Sequence, residues 1–211
     1  MKLLLTSAGI TNKSIANALK DLVGKPLSEV KVGFIPTAAN VERGNKDWYI
    51  AQLTNLHAHG FLWVDIVDIS APLVDWKSRL SGADVIFVGG GNTFYLLDQI
   101  RKTKFDEWLK DHIDTKVYVG ISAGSIIVTP SIAIASVDNG DENLPHLTDL
   151  KSLGFTDFEI SPHTPEHVSH EGNSEYCKTT KNTLYGIDDQ TAVVYVDGKI
   201  EVITEGEWVQ Y

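Results

Sequence analysis

The stretch Lys116-Val117-Tyr118-Val119-Gly120-Ile121-Ser122-Ala123-Gly124-Ser125-Ile126-Ile127-Val128 carries an apolar run straight into a Gly-x-Ser-x-Gly turn. Glycines two residues either side of Ser122 let the chain reverse tightly where a Cβ would clash, so that Ser122 projects from a strand-to-helix turn. A serine hydroxyl is a poor nucleophile by itself. The geometry matters only if a base and a set of oxyanion donors converge on it. Taken alone, the five residues describe an ordinary glycine-rich turn equally well.

Upstream, Asp84 to Val88 is a buried apolar run that opens onto Gly89-Gly90-Gly91-Asn92 before a helix carrying Phe94, Leu97 and Ile100. Neither the Gly-x-Gly-x-x-Gly nor the Gly-x-x-x-x-Gly-Lys-[Ser/Thr] nucleotide pattern is present, which makes a phosphate cradle the weaker interpretation. Met1 to Thr6, Val30 to Ile35 and Phe61 to Ile66 read as further strands. The helical patterns between them are Thr11 to Val23, with Thr11 as N-cap, and a segment with Trp48, Leu53 and Leu56 ending near Gly60. Strands alternating with helices predict an α/β fold, a mostly parallel sheet sandwiched by helices. The glycine run and the Ser122 turn then share the carboxyl edge of that sheet, where such folds build their sites.

Phe105, Trp108, Leu109 and Ile113 recur at helical spacing and read as core, while Pro130 limits the helix after Ser122 to about two turns. Asn173 to Leu184 reads as a helix. Thr191 to Val196 and Lys199 to Ile203 alternate around Asp197-Gly198 as a hairpin, and Glu207 to Tyr211 adds a last strand, so the C-terminal part is an antiparallel addition to the sheet. With no linker, repeat or low-complexity segment, residues 1–211 read as a single domain.

A chain with 18 Lys+Arg against 28 Asp+Glu, net charge -10, repels a polyphosphate partner, which excludes nucleic acid. Cys177 is the only cysteine, so neither an intrachain disulfide nor a Cys-x-x-Cys metal site can form. Leu3-Leu4-Leu5 is too short for a signal-peptide core and no apolar run approaches the roughly 20 residues of a membrane span. The expectation is a cytoplasmic protein without a membrane partner.

His163-Thr164-Pro165-Glu166-His167 formally matches the zinc-peptidase pattern His-x-x-Glu-His, which needs both histidines on one helical face. Pro165 biases Thr164 to an extended conformation and argues against that face, so no metal is expected. Val137 to His146, with Asp138, Asp141 and Glu142 among Asn, Gly and Pro, reads as a solvated loop. Asp188 and Asp189 follow the apolar run Leu184 to Ile187. Successive residues of an extended segment point to opposite sides, so one of the two can face a histidine and the other cannot.

With Gly89-Gly90-Gly91-Asn92-Thr93, Gly120-Ile121-Ser122-Ala123-Gly124, Ser161-Pro162-His163 and Gly186-Ile187-Asp188-Asp189 in this order, the chain resembles the dipeptidase E family of serine peptidases, to which cyanophycinase is similar. The resemblance implies a class I glutamine amidotransferase-like fold with serine in place of cysteine at the elbow. It further implies Ser122 as nucleophile, His163 as general base, Gly91 and Ala123 as oxyanion N–H donors with Gly90 keeping their approach clear, and no cofactor. Asp189 falls where the family has glutamate. The family arginine that binds an N-terminal aspartate downstream of the histidine is missing. An acidic side chain would have to be met by Lys178, Lys181, His167 or His170, with Asn92 a further substrate-facing candidate. A homodimer is implied by the resemblance only. The expected activity is a serine exopeptidase acting on small peptides through an acyl-enzyme. Its rivals are an amidase or esterase on the same site, and a non-catalytic peptide or metabolite binder.

Overall fold

The computed structural model describes residues 1–211. Strands β1 (Lys2–Thr6), β2 (Lys31–Ile35), β3 (Trp63–Ile66), β4 (Val85–Val88) and β5 (Val117–Ile121) are mutually parallel. They are joined through helices α1 (Lys13–Val23), α2 (Asp47–Ala58), α3 (Trp76–Ser81), α4 (Thr93–Thr103) and α5 (Phe105–His112). A single turn, α6 (Ala123–Ile126), follows β5. Beyond β6 (Glu159–Ser161) come α7 (His170–Thr180), β7 (Leu184–Ile187) and the hairpin β8 (Thr191–Val196) and β9 (Lys199–Thr204), with β10 (Trp208–Gln210) last.

Parallel strands covered on both faces must be apolar at successive positions rather than at alternate ones. Leu3 and Leu5 accordingly pack into one hydrophobic cluster and Leu4 into another, and Ile86 and Val88 separate from Val85 and Phe87 in the same way. The aromatic stripe Phe105, Trp108, Leu109 and Ile113 is buried, as its spacing predicts. The large sheet has the order β3-β2-β4-β5-β1-β8-β9, with β8 antiparallel to β1 and β9 antiparallel to β8. This is the expected α/β architecture with antiparallel C-terminal strands.

Four local expectations change. Asn12, not Thr11, caps α1: its side chain accepts from the Ile15 N–H, while the Thr11 hydroxyl donates to Asp189 O at 2.7 Å. The helix after Ser122 is one turn rather than two. The Ile127 and Val128 carbonyls turn away from it to accept from Leu153 and Phe155 N–H at 3.1 and 2.8 Å. Finally, β10 does not join the large sheet but closes a separate three-stranded sheet, β10-β7-β6, in which β6 and β7 run parallel. Leu184 belongs to β7, not to the end of α7.

Candidate active site

The turn after β5 is locked from three sides. The Ser122 N–H and the Ser125 hydroxyl both donate to Thr6 O, at 3.0 and 2.7 Å, and the Thr6 hydroxyl donates to Gly120 O at 2.7 Å. Tyr118, fully buried, donates its hydroxyl to Gly124 O at 2.6 Å. A Cβ on Gly120 would stand 2.6 Å from Gly124 O, and one on Gly124 would stand 2.0 Å from Val88 O. The glycines are therefore demanded by backbone approach, and the left-handed strain falls on Ser122 itself, at φ 50° and ψ -111°. A non-glycine residue held there marks a site where the surrounding structure over-determines the backbone.

Gly89-Gly90-Gly91 passes beside this turn. A Cβ on Gly90 would stand 3.2 Å from Ser122 Cβ, and one on Gly91, at φ +129°, would meet Ala38 O at 2.4 Å. The N–H groups of Gly90 and Gly91 have no protein acceptor, and Ala123, first in its helical turn, has none by helix geometry.

His163 and Asp189 come from the small sheet. Each lies two residues beyond the end of its strand, β6 for His163 and β7 for Asp189, and these strands are parallel neighbours with Ser161 opposite Gly186. The His163 Nδ1–H donates to Asp189 Oδ1 at 2.6 Å. That bond, as its largest cause, holds the Asp189 carboxyl below its ordinary range despite partial burial. Asp188 points the other way: it accepts from the Gln190 N–H at 3.0 Å, the Thr191 hydroxyl at 2.6 Å and the Glu207 N–H at 2.6 Å.

A third residue, Ser7, ties the pair to the large sheet. Its side chain is fully buried, donates to Asp189 Oδ1 at 2.7 Å, lies 3.1 Å from His163 Nδ1, and accepts the His163 backbone N–H at 2.7 Å. Thr11 and Asn12 hold the same turn through Asp189 O and Gln190 O. Sequence reasoning missed Ser7. The only available signal was its place at the carboxyl end of a parallel strand, the edge on which such sites form.

Ser122 and His163 line one cavity of about 70 Å³ together with Thr93, Asp141 and His167. The Ser122 hydroxyl makes no hydrogen bond to His163 here, and such contacts tighten on substrate binding. The Val137 to His146 segment is the expected exposed loop, and two of its residues contact the end of the glycine run. Asp141 accepts the Thr93 N–H at 2.7 Å, and Asn92 donates to Glu142 O at 2.9 Å. Asn92 also accepts the Tyr95 N–H at 2.8 Å, so both ends of its amide are engaged by the protein.

Of the basic candidates, only His167 reaches the cavity; its ring centroid lies 5.0 Å from that of His163, brought there by a non-helical turn in which the His167 N–H donates to His163 O. Lys178 pairs with Glu175 on the exposed face of α7, Lys181 is the exposed C-cap of that helix, and His170 bonds Tyr211. No helix is long and apolar enough to cross a membrane.

A serine on a strained strand-to-helix turn, with a histidine–carboxylate pair beside the same cavity, is the arrangement of a serine hydrolase on an α/β sheet. The chain belongs to peptidase family S51, a family of serine peptidases, whose family model matches residues 3–203. It is 33% identical to an uncharacterized peptidase of Listeria monocytogenes, over 82% of this chain and 85% of the relative. An uncharacterized peptidase of Pasteurella multocida is 30% identical over 82% and 84%. Among solved structures, a candidate peptidase E protein from Listeria monocytogenes EGD-e superposes with a TM-score of 0.81 at 27% identity, over 97% of this chain and 98% of that one. The resemblance to dipeptidase E is thereby borne out.

Proposed function

We propose that the protein is a serine exopeptidase that hydrolyses small peptides through an acyl-enzyme on Ser122, with His163 as general base and Asp189 as the acid that holds it. The observation that carries this is the 2.6 Å bond from His163 Nδ1 to Asp189 Oδ1 in a histidine lining the same cavity as Ser122. With Nδ1–H committed to the carboxylate, Nε2 is the basic nitrogen. It takes the Ser122 proton during attack and returns it to the leaving amine, while Asp189 stabilises the imidazolium. The N–H groups of Gly91 and Ala123 receive the developing oxyanion, with Gly90 leaving their approach open.

The substrate's N-terminal side chain is small and need not be acidic. No arginine or lysine lines the cavity, so an aspartyl side chain would meet only His163 and His167 as basic partners, beside the Asp141 carboxylate. Steady-state hydrolysis of Asp-Leu, Ala-Leu, an isoaspartyl dipeptide and a simple ester tests both statements. Cleavage of Ala-Leu at least equal to that of Asp-Leu, lost by at least about 10³-fold in Ser122→Ala, is expected. Peptide hydrolysis that survives Ser122→Ala would overturn the assignment, and turnover of the ester alone would reassign the site to an esterase.

A further inference from the structure

The glycine run that carries the Gly91 donor is tied to the protein at its two ends only. The Gly89 N–H donates to Ile35 O at 2.9 Å and the Asn92 N–H to Ala38 O at 3.0 Å, while no backbone group from the Gly89 carbonyl to the Gly91 carbonyl bonds to protein. Glycines offer no side chain by which to hold such a run. What lies against it is Gln52 of α2. A Cβ on Gly89 would stand 3.4 Å from Gln52 Oε1, and one on Gly90 would stand 3.3 Å from Gln52 Nε2 and 3.2 Å from Ser122 Cβ. The carboxamide therefore runs along the Gly89–Gly90 peptide, beside the space that the two absent side chains leave.

Packing alone does not account for a glutamine here. Gln52 and Leu56 are the buried residues of α2, one turn apart, and Leu56 enters the apolar cluster with Phe34, Phe61 and Phe87. Gln52 is itself only 7% exposed, and its Oε1 is sealed from solvent without a hydrogen-bond partner. A sealed, unpaired carbonyl destabilises the fold, and an apolar side chain of the same length would carry no such cost. What the apolar side chain lacks is a dipole. The Gln52 amide opposes rotation of the Gly89–Gly90 peptide, a rotation that would re-aim the N–H groups that follow it.

We propose that Gln52 is a positioning residue: its carboxamide fixes the Gly89–Gly90 peptide and thereby holds the Gly91 N–H where the oxyanion forms. This rests on the peptidase reading of the same site. The test is Gln52→Met, which keeps the length of the side chain and removes the amide, with Gln52→Leu as a second apolar replacement. Each is measured for thermal unfolding and for steady-state hydrolysis of Ala-Leu. The midpoint of unfolding is expected to rise by about 2 °C or more, because the unpaired oxygen is gone. A fall in kcat of about 10- to 100-fold, with KM constant to within about twofold, should accompany it. A more stable protein that turns over more slowly has not lost its fold, so the loss lies in the alignment of the site. Unchanged kcat in both variants makes Gln52 a packing residue and overturns the proposal. So does a fall in kcat that comes with a lower midpoint in both, and so does a rise in KM at constant kcat, since Gln52 would then contact the substrate. Absence of Ser122-dependent cleavage in the wild type defeats the peptidase reading and this proposal with it, whereas an active wild type beside equally active Gln52 variants defeats this proposal alone.

Discussion

His163 and Asp189 stand 2.6 Å apart, Nδ1 to Oδ1, although a neighbouring aspartate, Asp188, occupies the adjacent position in the chain. The choice between the two is made by the turn after β7. Asp188 is consumed in closing it, through Gln190, Thr191 and Glu207, which leaves Asp189 to project toward β6.

The carboxylate already reaches the imidazole, so the shorter acid leaves no gap for a longer one to fill. Asp189→Glu is therefore expected to lower kcat, because the extra methylene must displace Ser7, which is fully buried. Asp189→Asn should lower it further, by about 10³ to 10⁴-fold, since an amide can hold the wrong tautomer of His163. Steady-state kinetics on Ala-Leu separates the two; a Glu variant faster than wild type would show that the acid is too short.

Ser7→Ala removes a hydroxyl that bonds Asp189 Oδ1 and leaves the His163 backbone N–H without its acceptor. The expected result is a loss of about 1 to 3 kcal/mol in stability by urea denaturation. A fall in kcat with KM nearly constant should accompany it, because Ser7 orients the base and does not line the cavity. An unchanged kcat would reduce Ser7 to a packing residue.

Gly124→Ala places a Cβ 2.0 Å from Val88 O, a backbone atom of the central sheet that cannot move aside cheaply. Destabilisation of about 3 kcal/mol or more is expected from equilibrium unfolding. Gly24→Ala is the control: no atom lies within 4 Å, and only the left-handed backbone at φ 74° opposes the methyl group.

The Asp189 carboxyl is held below its ordinary range in the folded protein, chiefly by His163. Its contribution to stability is fully present above the unfolded value of about 3.9 and is lost as pH falls through the lower, folded value. Asp189→Asn should therefore flatten the acid limb of the stability profile below about pH 4. Thermal unfolding across that range checks this; identical limbs in the two proteins would place the acid sensitivity in other carboxylates.

Most of the strands were legible because parallel strands buried on both faces leave uninterrupted apolar runs, as in Leu3-Leu4-Leu5 and Val85 to Val88. The Ser122 turn was legible because its flanking glycines meet backbone atoms wherever the turn is built. The one-turn length of α6 was not, since the carbonyls of Ile127 and Val128 are claimed by residues 153–155, a pairing that no local propensity encodes. The separate small sheet was equally hidden, because β6, β7 and β10 are short and their partners lie far apart in the chain.

What the sequence alone determined was the α/β class, the serine turn with its adjoining glycine run, and a histidine followed by a carboxylate, because each of these is written in residues close together in the chain. The tertiary structure alone decided which aspartate faces His163, that Ser7 joins the two sheets at that pair, and that Asp141 enters the cavity while Lys178 and Lys181 do not. These outcomes depend on hydrogen bonds between segments as many as 182 residues apart, where the direction of a side chain is set by packing rather than by its neighbours.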